Sequence, residues 1–186
     1  MKNLIVLVIL LLGPKTTLSL AQSNIKVSAD MAGKSKISYQ GESVSVTTKT
    51  GFTVGGEIMR PMNNNVAIGG GLQFQIPRGG KDADGNFNFV PIYAVGTFFS
   101  EYGNGIYGKG MLGYNLHYGD SDYKGDAELG GGLCYGFGGG FGIGRKFLIE
   151  GMYMINNGTF NIFGEELDVA YSRFTVSLGI IINKTN

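Results

Sequence analysis

The chain has 186 residues, room for one domain, and its 15 Lys and Arg against 14 Asp and Glu give a net charge of +1. That balance makes no electrostatic case for nucleic acid, and the single cysteine, Cys134, excludes an intrachain disulfide framework. The composition is glycine-rich, with 33 glycines, and only 16% charged, below the roughly 25% usual for a soluble domain.

Residues 1–21 read as an export signal. Lys2 precedes the apolar run LIVLVILLL, followed by Gly13-Pro14 and then LSLA, with Ser19 and Ala21 at the spacing of a cleavage site. The apolar core from Leu4 to Leu12 falls short of the roughly 20 residues a membrane helix needs. Cleavage after Ala21 removes Lys2 and Lys15 and leaves 13 bases against 14 acids, a net charge of −1. The remainder, 22–186, is expected to form one domain.

That remainder alternates with a period of two, the signature of strands with one apolar face. Strands are predicted at 25–39, 51–60, 66–76, 88–100, 105–119, 128–143, 147–156 and 169–182. The first opposes Ile25, Val27 and Met31 to Lys26, Asp30 and Lys34; the second opposes Phe52, Val54 and Ile58 to Thr53, Gly55 and Glu57. In the third, Leu72, Phe74 and Ile76 alternate with Gly71, Gln73 and Gln75. FVPIYAVGTFF, at 89–99, is apolar on both faces, and its parity is left open. The fifth sets Ile106, Leu112, Tyr114 and Leu116 against Lys109, Asn115 and His117.

The sixth contains GFGGGFGIGRK, which fits neither G-x-G-x-x-G nor the P-loop pattern. Every even position from 130 to 142 is Gly except Cys134, while Leu129, Leu133, Tyr135, Phe137, Phe141 and Ile143 occupy odd positions. A strand with one face stripped of side chains implies crowding there by larger residues of other strands. The seventh sets Phe147, Ile149, Tyr153 and Ile155 against Glu150, Met152 and Met154; the eighth sets Phe174, Val176, Leu178, Ile180 and Ile182 against Arg173, Thr175, Ser177 and Gly179.

The connections alternate too. PMNNN, EYGN and GRK are tight, whereas QGESVSVTTKT, PRGGKDADGNF, DSDYKGDA and NGTFNIFGEELD are long and polar. An even number of antiparallel strands, with short turns at one end and long loops at the other, is the layout of an outer-membrane barrel. A soluble ligand-binding barrel has the same period with its apolar face inward. The polar face decides between them: it is mostly Gly, Ser, Thr, Ala, Asn and Gln with isolated charges, which suits a narrow interior. Tyr39, Tyr118 and Tyr171 near strand ends fit an interfacial girdle.

In this layout, over residues 22–183, the chain resembles the small eight-stranded bacterial outer-membrane barrels, such as the transmembrane domain of outer-membrane protein A and the porin-like and opacity-type proteins. The resemblance implies an all-β, antiparallel up-and-down transmembrane barrel, present as a monomer in the outer membrane among lipid and lipopolysaccharide. It also implies a structural or surface-interaction role, with an extracellular ligand met through the long loops. Those proteins usually end on an aromatic residue, whereas this chain ends GIIINKTN.

An eight-stranded barrel is filled by side chains, and a buried charge must be paired. Asp30, Glu57, Lys109 and Glu150, four to six residues from the periplasmic ends of the predicted strands, are expected to share a luminal layer, with Arg173 higher and near Lys34. No catalytic residue, metal or cofactor is expected. SADMAGKS lacks the first P-loop glycine, and DADGN and DSDYKGD carry Tyr93 and Gly131 where a calcium loop has its bidentate Glu. His117, the sole histidine, is expected to be a satisfied luminal side chain and Cys134 a filler. The alternatives are a narrow channel, a lipid-modifying enzyme and a soluble lipocalin-like carrier, separable by conductance, lipid turnover lost in His117→Ala, and fractionation.

Overall fold

A computed structural model describes residues 22–81, 84–101 and 104–183. Residues 1–21, where the export signal is expected, Asp82 and Ala83, Tyr102 and Gly103, and residues 184–186 lie outside the described residues. The strands are β1 (Gln22–Asp30), β2 (Lys34–Tyr39), β3 (Glu42–Thr47), β4 (Gly51–Pro61), β5 (Val66–Gln75), β6 (Phe87–Glu101), β7 (Asn104–Gly119), β8 (Glu128–Ile143), β9 (Phe147–Ile162) and β10 (Glu165–Asn183). One short helix, α1 (Ser121–Lys124), sits between β7 and β8.

Eight of these strands close a ring in the order β1, β4, β5, β6, β7, β8, β9, β10 and back to β1, every pairing antiparallel. The other two prolong the ring. β2 continues β1 along the upper part of β10 and pairs with β3, which leads into β4. Alternation turns an apolar belt outward: Phe52, Leu72, Phe98, Ile106, Phe137 and Leu178 are all more than half exposed. Closure gives each of the eight strands a partner on both sides, the arrangement by which strands cross hydrocarbon. The open parity is settled as well, because Phe89, Tyr93, Val95, Thr97 and Phe99 of β6 are buried while Ile92 and Phe98 face outward.

Glycines on the inner face of β8 make room for neighbours. A Cβ at Gly138 would lie 2.1 Å from the Gly151 carbonyl and 2.8 Å from the Met152 sulfur. Large side chains of β7 and β9, Tyr107, Met111, Met152 and Met154, lie among the buried residues of this lower core.

Four local departures from regular alternation matter. First, the predicted strand 25–39 breaks at 31–33, where Met31 N–H donates to the Phe174 carbonyl and Gly33 N–H donates to Thr48 Oγ1. After the break the buried parity changes from Asp30 to Ser35. Second, two of the expected long loops are strand. QGESVSVTTKT contains β3, joined to β2 through Gln40 and Gly41 (φ 48° and 89°), and β9 and β10 meet through Phe163 and Gly164 (φ 52° and 87°). Positive φ at both central residues matches the twist of a two-residue hairpin.

Third, β8 carries a bulge between Gly131 and Cys134, opposite Gly158 and Asn156. The extra residue reverses the parity above it, so Leu129, expected outward, packs inside against Ala127, Phe160 and Val169. Fourth, β5 and β6 part company above the Leu72–Ile92 pair and rejoin only at the Arg78–Phe87 bridge. Odd-numbered residues of β6 turn their backbone groups toward β5, since Phe99 N–H donates to the Asn65 carbonyl. The next odd position above the seam is Pro91, opposite Gln73 in this register, and it has no N–H to give.

Candidate functional site

The lumen is the chemically distinctive part of the molecule, and it is layered. At the periplasmic mouth Gln22, Asn24, Met59, Thr97, Phe99 and Leu148 surround a cavity with room for about one water molecule. Just above it Lys26 (β1), Glu57 (β4), Lys109 (β7) and Glu150 (β9) converge from four strands. Lys26 Nζ lies 2.6 Å from Glu57 and 2.8 Å from Glu150, and Lys109 Nζ lies 2.7 Å from each. Cations and anions therefore alternate around a closed, formally neutral square whose members are only 2–7% exposed. The Tyr93 hydroxyl donates to Glu57 (2.9 Å) and accepts from the Gln73 amide (3.2 Å), which ties the square to β5 and β6.

Higher in the lumen, past a contact between the Ser28 and Ser177 hydroxyls (2.7 Å), Asp30 sits between two guanidinium groups. Arg78 Nη1 is 2.6 Å from its Oδ2 and Arg173 Nε is 3.2 Å from its Oδ1, and the Thr53 hydroxyl donates to it at 2.6 Å. Arg78 also donates to the backbone carbonyls of Phe52 and Ile76. The Gln75 amide, oriented with its oxygen toward Arg173, accepts from both terminal nitrogens at 2.9 Å. The Arg173 guanidinium lies 5.4 Å from the centre of the Tyr171 ring.

An aromatic roof closes the extracellular side. Phe89 stacks on His117 (4.4 Å between centroids), Phe87 stacks on Tyr123 of α1 (5.1 Å), and Tyr171 meets Phe87 edge-on (5.3 Å). The Tyr123 hydroxyl is 3.2 Å from His117 Nε2. α1 is held over the mouth by Asp120, whose carboxylate accepts from Tyr123 N–H (2.9 Å) and from both the backbone and side-chain amides of Asn86. These hydrogen bonds, Tyr123 N–H first, hold the Asp120 carboxyl below the usual range. Above the ring stack lies an apolar cap of Ala127, Phe160 and Val169 with Ile37, Leu129 and Leu167 against it.

The expected site residues are thus divided. Glu57, Lys109 and Glu150 share a layer, but Asp30 does not join them. β1 starts at Gln22 instead of residue 25, which places Lys26 at the height of the square and carries Asp30 up to Arg173. Lys34 is not luminal: the break at 31–33 turns it outward, and it is exposed. Tyr171, expected in an outer girdle, is fully buried inside the roof. Two members were missed. Lys26 has the parity of Asp30 and could have been found from it; Arg78 lies beyond the predicted strand, in a loop that folds back into the barrel, and no periodicity marks it. Cys134 is buried and free, and among the described residues no three His, Cys, Asp or Glu side chains gather as a metal site would need.

No family model matches the chain, and no curated protein matches it either. Solved structures do. The chain is similar to Ail, the attachment invasion locus protein of Yersinia pestis in complex with the heparin analogue sucrose octasulfate, at 18% identity and a TM-score of 0.53, over 87% of this chain and 99% of that one. It is similar to Neisserial surface protein A at 12% identity and a TM-score of 0.54, over 85% and 96% of the two chains. The outer membrane protein OprG from Pseudomonas aeruginosa matches at 11% identity and a TM-score of 0.51, over 89% and 98%. The chain therefore has the fold of the small eight-stranded outer-membrane β-barrels.

Proposed function

We propose that this chain is a monomeric outer-membrane barrel whose work is done at its extracellular rim, with a lumen packed for rigidity and not for passage. The observation that carries this reading is the filling of the lumen at every level. The ionic square, the Asp30 cluster and the aromatic roof each span the bore, and a barrel of eight strands has room for little beyond such side chains. Water-filled conduction would require breaking buried ion pairs. The polar, accessible surface is at the rim, in the β2–β3 hairpin, the β5–β6 and β7–β8 connections and the β9–β10 tip. The similar Ail structure holds a sulfated sugar analogue, so a barrel of this size can offer a ligand surface. His117 touches aromatic rings, which supports a packing role in the roof over a catalytic one.

Two measurements test the proposal. The refolded protein in a planar bilayer is expected to show no steady conductance, and cells displaying it are expected to adhere to surfaces coated with sulfated glycan better than cells displaying a variant with the β2–β3 hairpin shortened. Stable open-channel currents would overturn the packed-lumen reading. Adhesion indifferent to the rim would overturn the surface role.

A further inference from the structure

The break at 31–33 has an effect on the outer surface. β2 reads Lys34-Ser35-Lys36-Ile37, and its buried members are Ser35 and, in part, Ile37, so Lys34 and Lys36 project together from the outer wall. Two residues along a strand separates their Cβ atoms by about 7 Å. In register, Lys34 lies between Thr47 and Ser172, and Lys36 between Ser45 and Ala170, so hydroxyls flank the pair. The nearest carboxylate across β10 on this face, Asp168, lies opposite Ser38, one rung higher, and no ion pair to either lysine is present among the described residues. The break that produces this arrangement depends on Gly33, where a Cβ would lie 2.3 Å from the Ser172 carbonyl.

Depth identifies the partner. The outward residues of β10 are apolar from Ile182 up to Phe174 and then become Ser172 and Ala170. On the first stave Met31, 51% exposed, is the last large apolar side chain before Lys34. With about 3.4 Å per residue and a strand tilt near 40°, Lys34 is rooted about 5 Å and Lys36 about 10 Å above Phe174, the edge of the apolar belt on this face. The headgroup zone of a leaflet is about 5–7 Å thick. Lys34 is rooted in that zone and Lys36 just above it, and their long stems let both ammonium groups, which have no ion pair among the described residues, reach the layer of anionic phosphates on the loop side of the barrel.

We propose that Lys34 and Lys36, with the hydroxyls of Ser45, Thr47 and Ser172, form a binding site for the phosphate groups of an outer-leaflet lipid. The inference rests on the membrane-barrel reading and adds to it a fixed lipid contact on one side of the wall. Flexible stems bring both heads to the phosphate plane from above the belt, as snorkelling cations do. Contact on one stave pair would orient the barrel relative to its lipid neighbours.

The test uses the full chain folded in neutral detergent, with bound lipid counted by native mass spectrometry. Diphosphoryl lipid A is expected to be retained, and Lys34→Gln with Lys36→Gln to weaken retention about 10- to 30-fold, at the usual worth of a lysine near an anionic surface. Lys34→Arg with Lys36→Arg keeps the charge and is expected to retain the lipid, as is a loop control, Lys81→Gln with Lys124→Gln. Lipid A stripped of phosphate is expected to bind parent and variant alike. Equal retention of diphosphoryl lipid A by the parent and the glutamine variant would overturn the site. Displacement by millimolar inorganic phosphate would overturn the lipid as its source. Loss of the heat-dependent gel shift in the unmodified chain would instead count against the barrel itself, so the two failures are distinguishable.

Discussion

Lys109→Met is the sharpest perturbation of the luminal square. Lys109 Nζ touches Glu57 and Glu150 at 2.7 Å each, and Lys26 is the only other cation of the square. At a charge separation near 4 Å and an effective dielectric of about 20, each attraction is worth about 4 kcal/mol before desolvation is charged against it. Removing Lys109 loses two such attractions, relieves one repulsion from Lys26, and leaves two buried carboxylates facing one ammonium. Breaking a buried pair in this way costs about 3–5 kcal/mol. The double variant Lys109→Met, Glu150→Gln restores neutrality with the Lys26–Glu57 contact intact, and is expected to lie within about 1–2 kcal/mol of the parent. Urea unfolding in lipid vesicles, followed by gel mobility of unheated samples, measures all three. A single variant within about 1 kcal/mol of the parent, the range of exposed ion pairs, would refute a buried, mutually dependent square. So would a double variant no more stable than Lys109→Met alone.

Further outcomes follow from the same geometry. Gly138→Ala is expected to cost about 1–3 kcal/mol by overpacking, while Gly110→Ala, whose Cβ meets nothing within 4 Å, stays within about 0.5 kcal/mol of the parent; unfolding of the pair checks the contrast. Backbone amides of Gln73 and Gln75, which face the β5–β6 seam, are expected to exchange hydrogen faster than those of Gly69 and Gly71 below the Leu72–Ile92 pair, as read by NMR. The carboxyl of Asp120 is lower in the folded chain than in the unfolded one, so its hold on α1 is complete above about pH 4 and fades as the pH falls further. The Tyr123 ring signals should therefore broaden on acidification below that range and stay sharp from neutral pH down to it.

Much of the fold is legible because a closed barrel imposes the same two-residue period on every strand, and an apolar belt facing lipid leaves small and isolated charged residues for the bore. Glu57, Lys109 and Glu150 stand out for that reason: each is the lone acid or lysine on its strand's inward face. The misreadings arise where the period is reset. Three residues at 31–33 reverse the parity and send Lys34 outward, and one extra residue at the β8 bulge brings Leu129 inward. Gly33 is the local sign of the first, but in a chain with 33 glycines it does not stand out. The hairpin tips at Gln40-Gly41 and Phe163-Gly164 carry a residue other than Asn or Asp before the glycine, so they lack the strongest turn signature. Arg78 enters the lumen from a connection, a placement set by its bonds to Asp30, Phe52 and Ile76 and by no pattern along the chain.

Gel mobility of the chain extracted from outer membranes, with and without boiling, tests most directly whether the alternating faces form a closed barrel with its apolar side to lipid. A compact, fast-migrating band that shifts on heating is the expected result. A chain recovered in the soluble periplasmic fraction, with one mobility before and after boiling, would contradict it, because the exposed belt of Phe52, Phe98, Ile106 and Phe137 could not then face water.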